Sequence, residues 1–477
     1  MRQKPSCWRL RYPLSTCFFH RPKTYTLKTI PAVSHPPWLE TILASYPPVD
    51  LESLHHHFLH VFLTIKCLGE NSNCDIKNCR NSRMEAVREQ TCAMTTGQRF
   101  IGMDAHRGFI MILMAIDHAS YFIARVHSAE FWWTTLPVYP SILWFWTRWV
   151  THLCAPGFFL LMGIGIIFFA DARRKAGWKE SRITRFFVMR GSVLILLQLL
   201  VEDAAWILGD LSAGPGVMVI RGGGVPGGGT EGMIFLGVLF GLGGSMVFWA
   251  YMHRASILFI SFVSLTAVLV IQFVTPGAEH TSVLYSPLLR LLAIPGHTNI
   301  WQVFYPVAPW VGVTGLGLLF GKLLLRDTHR ACRVASWTGL GLLVLFVIIR
   351  TVGGFGNLNE VPAGWMGFLN VVKYPPSLAF LTMTLGINLL LMGIWRRAES
   401  HLQCRYYPLL VFGRVALFFY LLHLWVYSLL GLLFKAGSGL VEMYGFWLLG
   451  LVILYPICYR YNRFKSSTPL ASLWRFF

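Results

Sequence analysis

Apolar residues in this chain gather into runs of about 20, separated by short polar or basic stretches, from Phe100 almost to the C-terminus. A helix of that length crosses a hydrocarbon core about 30 Å thick. The pattern predicts spans near 107–126, 145–170, 186–208, 232–252, 256–275, 303–325, 335–353, 377–395, 408–433 and 445–459. The expected fold is all-α, a polytopic transmembrane helix bundle of about ten spans. Residues 1–97 break the pattern: they mix Pro, His, Cys and aromatics with neither a helical nor an alternating period. His55, His56, His57 and His60 interrupt their most apolar stretch, and the layout of a signal peptide is missing. This segment is expected to be a poorly ordered leader, with Met84 or Met94 as alternative starts. The transmembrane domain is expected over 98–465 and a cytoplasmic tail over 466–477.

Composition sharpens the picture. Hydrophobic residues make up 55% of the 477 and charged residues only 13%, about half the charged share of a soluble domain. An ordinary soluble enzyme is excluded. The net charge of +20 sits where a membrane protein keeps its cytoplasmic loops. One loop holds Arg173, Arg174, Lys175, Lys179, Arg182 and Arg185, and others hold Lys322, Arg326, Arg330 and Arg333, then Arg396, Arg397 and Arg405. The alternate loops are poor in Lys and Arg, so both termini are expected to be cytoplasmic and nucleic acid is not an expected partner. Six of the ten cysteines precede the first span and none forms a C-x-x-C pair, so no metal or redox motif is read from them. The glycine run from Arg221 to Thr230 contains no Lys and no flanking strand pattern. It is expected to be a flexible outer loop, not a phosphate cradle.

Ionisable side chains at membrane depth are costly and usually face a cavity or one another, so they mark the candidate chemistry. Arg107 and His118 lie eleven steps apart on the first span. That is about 16 Å and roughly three turns, which places them on one helix face. Asp117 projects about 100° away from His118, towards a partner on another helix. Arg148 and His152 form an i, i+4 pair on the second span. Gln198 and Glu202 share a face of the third, Arg350 ends the seventh, and Arg414 and His423 lie in the ninth. A neutral histidine in a dry cavity can serve as general base or acyl carrier, and a basic inner mouth suits an anionic donor such as a coenzyme A thioester. The same groups also fit a proton-coupled transporter or flippase.

The motifs carry a resemblance. Asp104-Ala-His-Arg-Gly108 with Asp117-His118, Thr147-Arg-Trp-Val-Thr-His-Leu-Cys-Ala-Pro-Gly-Phe158, Arg190-Gly191, Tyr305-Pro-Val-Ala-Pro-Trp310, Lys373-Tyr-Pro-Pro-Ser377 and the stretch from Phe412 to His423 follow in order. Over about residues 98–465 they resemble the bacterial relatives of the heparan-alpha-glucosaminide N-acetyltransferase catalytic domain. The spacing of Arg107 and His118 is also similar to the first-span signature of the acyltransferase-3 proteins, whose histidine there is the favoured catalytic residue. The resemblance implies an integral, multi-pass acetyltransferase of the bacterial cytoplasmic membrane. It would move an acyl group from cytosolic acetyl-CoA, without a metal, to an acceptor such as a sugar. In the lysosomal relatives an Asn-like residue stands at the place of His118, and the proposed histidine lies in the loop where this chain has His127. His118 is therefore ranked first for catalysis, His152 second and His127 third, with Asp117 beside His118. Arg107, Asp104 and Arg414 are expected to bind the donor, and Arg148, Glu202, Arg350 and His423 to line the cavity.

Overall fold

The computed structural model describes residues 100–213, 234–275, 287–298, 300–402, 408–468 and 474. The expectations for the leader, for the glycine run and for most of the tail fall outside these residues. Each predicted span contains helix in its described part. The first is α1 (Ile101–Ala119), continued by a π-helical turn at Ser120–Ala124. The second joins α2 (Ile142–Trp149) through a 3-10 turn to α3 (Cys154–Lys175). The third joins α4 (Glu180–Leu197) through a second π turn, Gln198–Glu202, to α5 (Asp203–Ser212). After them come α6 (Val238–Met252), α7 (Ile257–Val274), the short α8 (Pro287–Leu292), α9 (Val307–Arg326) and α10 (Thr328–Val352). Short α11 (Gly364–Leu369), then α12 (Leu378–Leu402), α13 (Pro408–Arg414), α14 (Ala416–Gly431) and α15 (Leu440–Ser467) complete the order.

Among the described residues eight helices are long and apolar enough to cross a membrane, and a ninth is counted if the bent pair α13–α14 is one span. The expected ten differ from this at α6, which has only 15 residues. The apolar run predicted at 232–252 begins with an extended strand, β1 (Ile234–Leu236), before the helix starts. This strand pairs in parallel with β3 (Trp301–Val303), which also pairs antiparallel with β2 (Gly296–His297). Apolarity alone could not separate that strand from the helix following it.

Burial sorts the helices. The windows of α1 and of the second span are 72% buried, against 28% for α7 and α10, so the first two form the middle of the bundle. Peripheral α7 and α10 leave large apolar side chains such as Leu258, Phe262, Trp337 and Val352 exposed, as a lipid-facing surface requires. In the middle, backbones approach closely through glycine. A Cβ on Gly108 would lie 1.7 Å from the Leu409 carbonyl oxygen, and one on Gly413 would lie 1.8 Å from that of Asp104. This contact locks α1 against α13 and brings Asp104, Arg107 and Arg414 to one place. The chain then turns by 103° between α13 and α14, which sends α14 back past α1 towards His118.

Candidate functional site

Among the cavities that touch α1, two are large enough to matter for the site. The larger, about 320 Å³, is lined near the start of α1 by Arg107, with Arg190 of α4, Arg414 of α13 and Lys465 of α15. Its remaining wall is mostly apolar, including Met111, Phe158, Leu242 and Leu417. Asp104 joins two of the cations: Arg107 Nη1 lies 3.3 Å from Oδ1 and Arg414 Nε 3.7 Å from Oδ2. Four cations against one carboxylate make this an anion-attracting pocket. The structure thus brings together the three residues expected to bind the donor and adds Arg190 and Lys465.

The smaller cavity, about 50 Å³, lies at the other end of α1. Asp117, His118, His127, Glu202, Lys373 and Tyr420 line it together with aromatic rings. Behind it stands Arg148, which bonds to two carboxylates and has Nη1 3.2 Å from His127 Nε2. Its Nε and Nη2 donate to Glu130 Oε1 and Oε2 at 2.8 and 2.7 Å, and Nη1 donates to Asp117 Oδ1 at 2.6 Å. Thr151 Oγ1 donates to the same Asp117 oxygen at 2.9 Å. The partner expected for Asp117 on another helix is therefore Arg148. Glu130, on the irregular segment between α1 and α2, is fully buried. Burial alone would raise its carboxyl, but Arg148 and then His152 outweigh that and hold it at about 2. His127 lies 3.4 Å from Asp117 Oδ2. Burial first, then the Arg148 charge, pushes its imidazole below the usual range, so the ring is neutral at pH 7.

His118 is held by neither carboxylate. Its Nδ1 lies 2.6 Å from Nε2 of His423 on α14, and His423 Nδ1 lies 3.0 Å from the Phe419 carbonyl oxygen. That carbonyl can only accept, so His423 Nδ1 carries the proton and its neutral ring accepts at Nε2. His118 Nδ1 must then be the donor, which leaves Nε2 of His118 with the lone pair. The ring is thus oriented by a second histidine and by neither of the nearby carboxylates, Asp117 and Glu202. Asp117 serves Arg148 instead, and Glu202 Oε1 accepts from Trp206 Nε1 at 3.3 Å. Trp206 in turn packs edge-on against His118, with centroids 5.1 Å apart. Both π turns border this cavity: one begins two residues after His118, and the other ends at Glu202.

Tyr420 is the residue that lines both cavities. It is buried, its hydroxyl faces the Glu202 carboxyl, and its ring lies 5.6 Å from that of His423. Asp104, Arg148 and His423 bond to lining side chains from behind, and two more expected site residues stand farther from these walls. His152 is buried behind the cluster, with Nδ1 3.0 Å from the Arg148 carbonyl oxygen and Nε2 3.8 Å from Glu130. Arg350 lines neither cavity. Its guanidinium donates to the Phe368, Gly367 and Asn370 carbonyls and to Asn357 Oδ1, at 2.7–2.8 Å. The charge that looked like a cavity residue ties down the α10–α12 connection. Glu130, Lys373 and Tyr420 were missed. The signal available for Glu130 and Lys373 was a lone charge in an aromatic setting, Phe-Trp-Trp after Glu130 and Tyr after Lys373. Among the described residues no group of three or more His, Cys, Asp or Glu side chains is placed to hold a metal ion.

Comparison with curated proteins gives no match. The family model for the heparan-alpha-glucosaminide N-acetyltransferase catalytic domain matches residues 99–351. That segment contains both π turns, Arg107, His118 and the whole Arg148 cluster, while Lys373, Arg414, Tyr420 and His423 join the site from beyond it. The chain is a multi-pass membrane protein that belongs to the heparan-alpha-glucosaminide N-acetyltransferase catalytic-domain family, whose activity is of the acetyltransferase kind.

Proposed function

We propose that the protein transfers an acetyl group from acetyl-CoA, held in the larger cavity, to an amine or hydroxyl of an acceptor such as a sugar that reaches the smaller cavity. The observation that carries this reading is Tyr420. Because Tyr420 belongs to both walls, a donor whose phosphates sit among Arg107, Arg190, Arg414 and Lys465 would extend its thioester past this side chain towards His118. The basic cavity then faces the cytosol of a bacterial cell, where acyl-CoA is found, in agreement with the loop charges. In the reaction His118 Nε2 takes the acceptor's proton as its nitrogen or oxygen attacks the thioester carbonyl carbon. The tetrahedral intermediate collapses with loss of the carbon–sulfur bond, and the CoA thiolate leaves with the proton from His118. His423 holds the imidazole in the tautomer that this step needs, as a backbone carbonyl or carboxylate does elsewhere.

The test uses the purified full chain in detergent. Millimolar acetyl-CoA should raise Tm, because a ligand that binds only the native state stabilises it by mass action, and acetyl-CoA with glucosamine should release free CoA. No Tm response and no CoA release would turn the reading towards a proton-coupled transporter using the same buried groups.

A further inference from the structure

Lys373 lies in the connection before α12, and its backbone is fixed. Its N–H donates to the Glu130 carbonyl at 2.9 Å, Tyr374 N–H donates to the same oxygen at 3.1 Å, and Ser377 N–H donates to Val372 O at 3.1 Å. The side chain is only 4% exposed, and it lines the small cavity with His118, Asp117 and Glu202. Burying an ammonium is costly unless something compensates it. Here the compensation is charge balance at a distance: Arg148 and Lys373 offset Asp117 and Glu130. Both Glu130 oxygens and Asp117 Oδ1 are already taken by Arg148. Among the described residues no ion pair or hydrogen bond engages Lys373 Nζ, which sits over the Tyr374 ring, 5.2 Å from its centroid. Three N–H donors therefore remain for whatever enters a cavity that also holds the His118 lone pair.

We propose that the Lys373 ammonium is the oxyanion-stabilising group of the transfer reaction, an inference that rests on the acetyl-transfer reading above. As the acceptor attacks, the carbonyl π pair moves onto oxygen, and the negative charge formed there meets a fixed cation in a water-poor pocket. The charge returns as the carbon–sulfur bond breaks, so Lys373 ends the cycle as it began, with no proton lost. Arg148 is less suited to this role, because it stands outside the lining of the cavity and its Nε, Nη1 and Nη2 each already bond to Glu130 or Asp117. A preorganised donor aimed at charge that exists only in the transition state raises kcat and leaves ground-state binding almost untouched.

The experiment compares Lys373→Met and Lys373→Gln with wild type, reading CoA release from acetyl-CoA in the presence of glucosamine. The expected result is a fall in kcat of about 10²–10³-fold for Met, a fall of at least tenfold for Gln, and a KM for acetyl-CoA within twofold of wild type. The acetyl-CoA-induced rise in Tm should persist in both, which shows a folded and donor-competent protein. A kcat within threefold of wild type in either folded variant overturns the assignment. So does a loss seen only in KM, and so does failure of both variants to fold, which would make Lys373 structural. Wild type that neither binds acetyl-CoA nor releases CoA would sink the acetyl-transfer reading itself, whereas active wild type with active Lys373→Met sinks only the lysine.

Discussion

The two cavities share one tyrosine and differ in how they handle charge. In the larger, the cations stand at a partly exposed mouth; the Arg107 and Arg414 side chains are 25% and 23% accessible. Such a site attracts an anion through its summed field, tolerates the loss of one member and weakens with salt. In the smaller, Glu130 and Arg148 are almost wholly buried and every bond between them is satisfied. There the loss of one partner strands the other in a low dielectric. One region should therefore respond to mutation in graded fashion, and the other in an all-or-none way.

The largest effect is expected at His118. His118→Ala should lower turnover by about 10²–10⁴-fold, the range general base catalysis supplies, with the acetyl-CoA-induced Tm rise retained. His152→Ala is the control, since His152 sits behind the Arg148 cluster and not on a cavity wall. If it abolishes turnover while His118→Ala stays near normal, the chemistry belongs to the second span.

Next comes the network. Arg148→Ala leaves the Asp117 and Glu130 carboxylates without their main partner and should cost about 3–5 kcal/mol of stability, seen as a large drop in Tm or loss of monodisperse protein. The same network sets a sign for acid. Glu130 is held at about 2 against an ordinary value of 4.5, so its contribution is complete above the ordinary value and drains away as pH falls towards 2. His127, shifted down, acts in the same direction, because protonating it in place is unfavourable. Tm should thus be flat with respect to these two groups at neutral pH and fall in acid. A wild type that gained stability on acidification would contradict the network as described.

The graded region gives a smaller change. Arg107→Ala removes one charge-assisted contact, about 1.5–3 kcal/mol when fully made and less at a hydrated mouth. KM for acetyl-CoA is expected to rise about tenfold, since 1.4 kcal/mol is a factor of ten, with kcat little altered. Raising salt should increase KM more steeply in wild type than in the variant. A fall in kcat with unchanged KM would move Arg107 from binding to chemistry.

The sequence shows some of this division plainly and hides the rest. Spans of α1, α3 and α9 are legible because long apolar runs have few alternatives in a membrane. The face-sharing of Arg107 and His118, and the outward turn of Asp117, follow from helix geometry alone. The His118–His423 pair is not legible, because it joins positions 305 residues apart through a bend that periodicity does not announce. Glu130 and Lys373 lie on irregular backbone, where no period says which way a side chain points, yet they complete the charge balance of the smaller cavity. Arg350 misled for the opposite reason. A charge at the end of a span looks the same in sequence whether it serves a cavity or a loop.

That ambiguity yields the smallest predicted effect. Arg350 donates to three backbone carbonyls and to Asn357, whose Nδ2 in turn donates to the Ile349 carbonyl at 3.0 Å. These bonds satisfy carbonyls of α11 and its neighbours that would otherwise be buried without donors, and they do not point at either cavity. Arg350→Lys keeps the charge but cannot reach four acceptors with one ammonium. The expected outcome is a Tm lower by a few degrees, as about 1–2 kcal/mol of unmade hydrogen bonds would give, with kcat and KM for acetyl-CoA within twofold of wild type. A tenfold change in either constant without loss of stability would return Arg350 to the site and show that the loop it ties down reaches the acceptor.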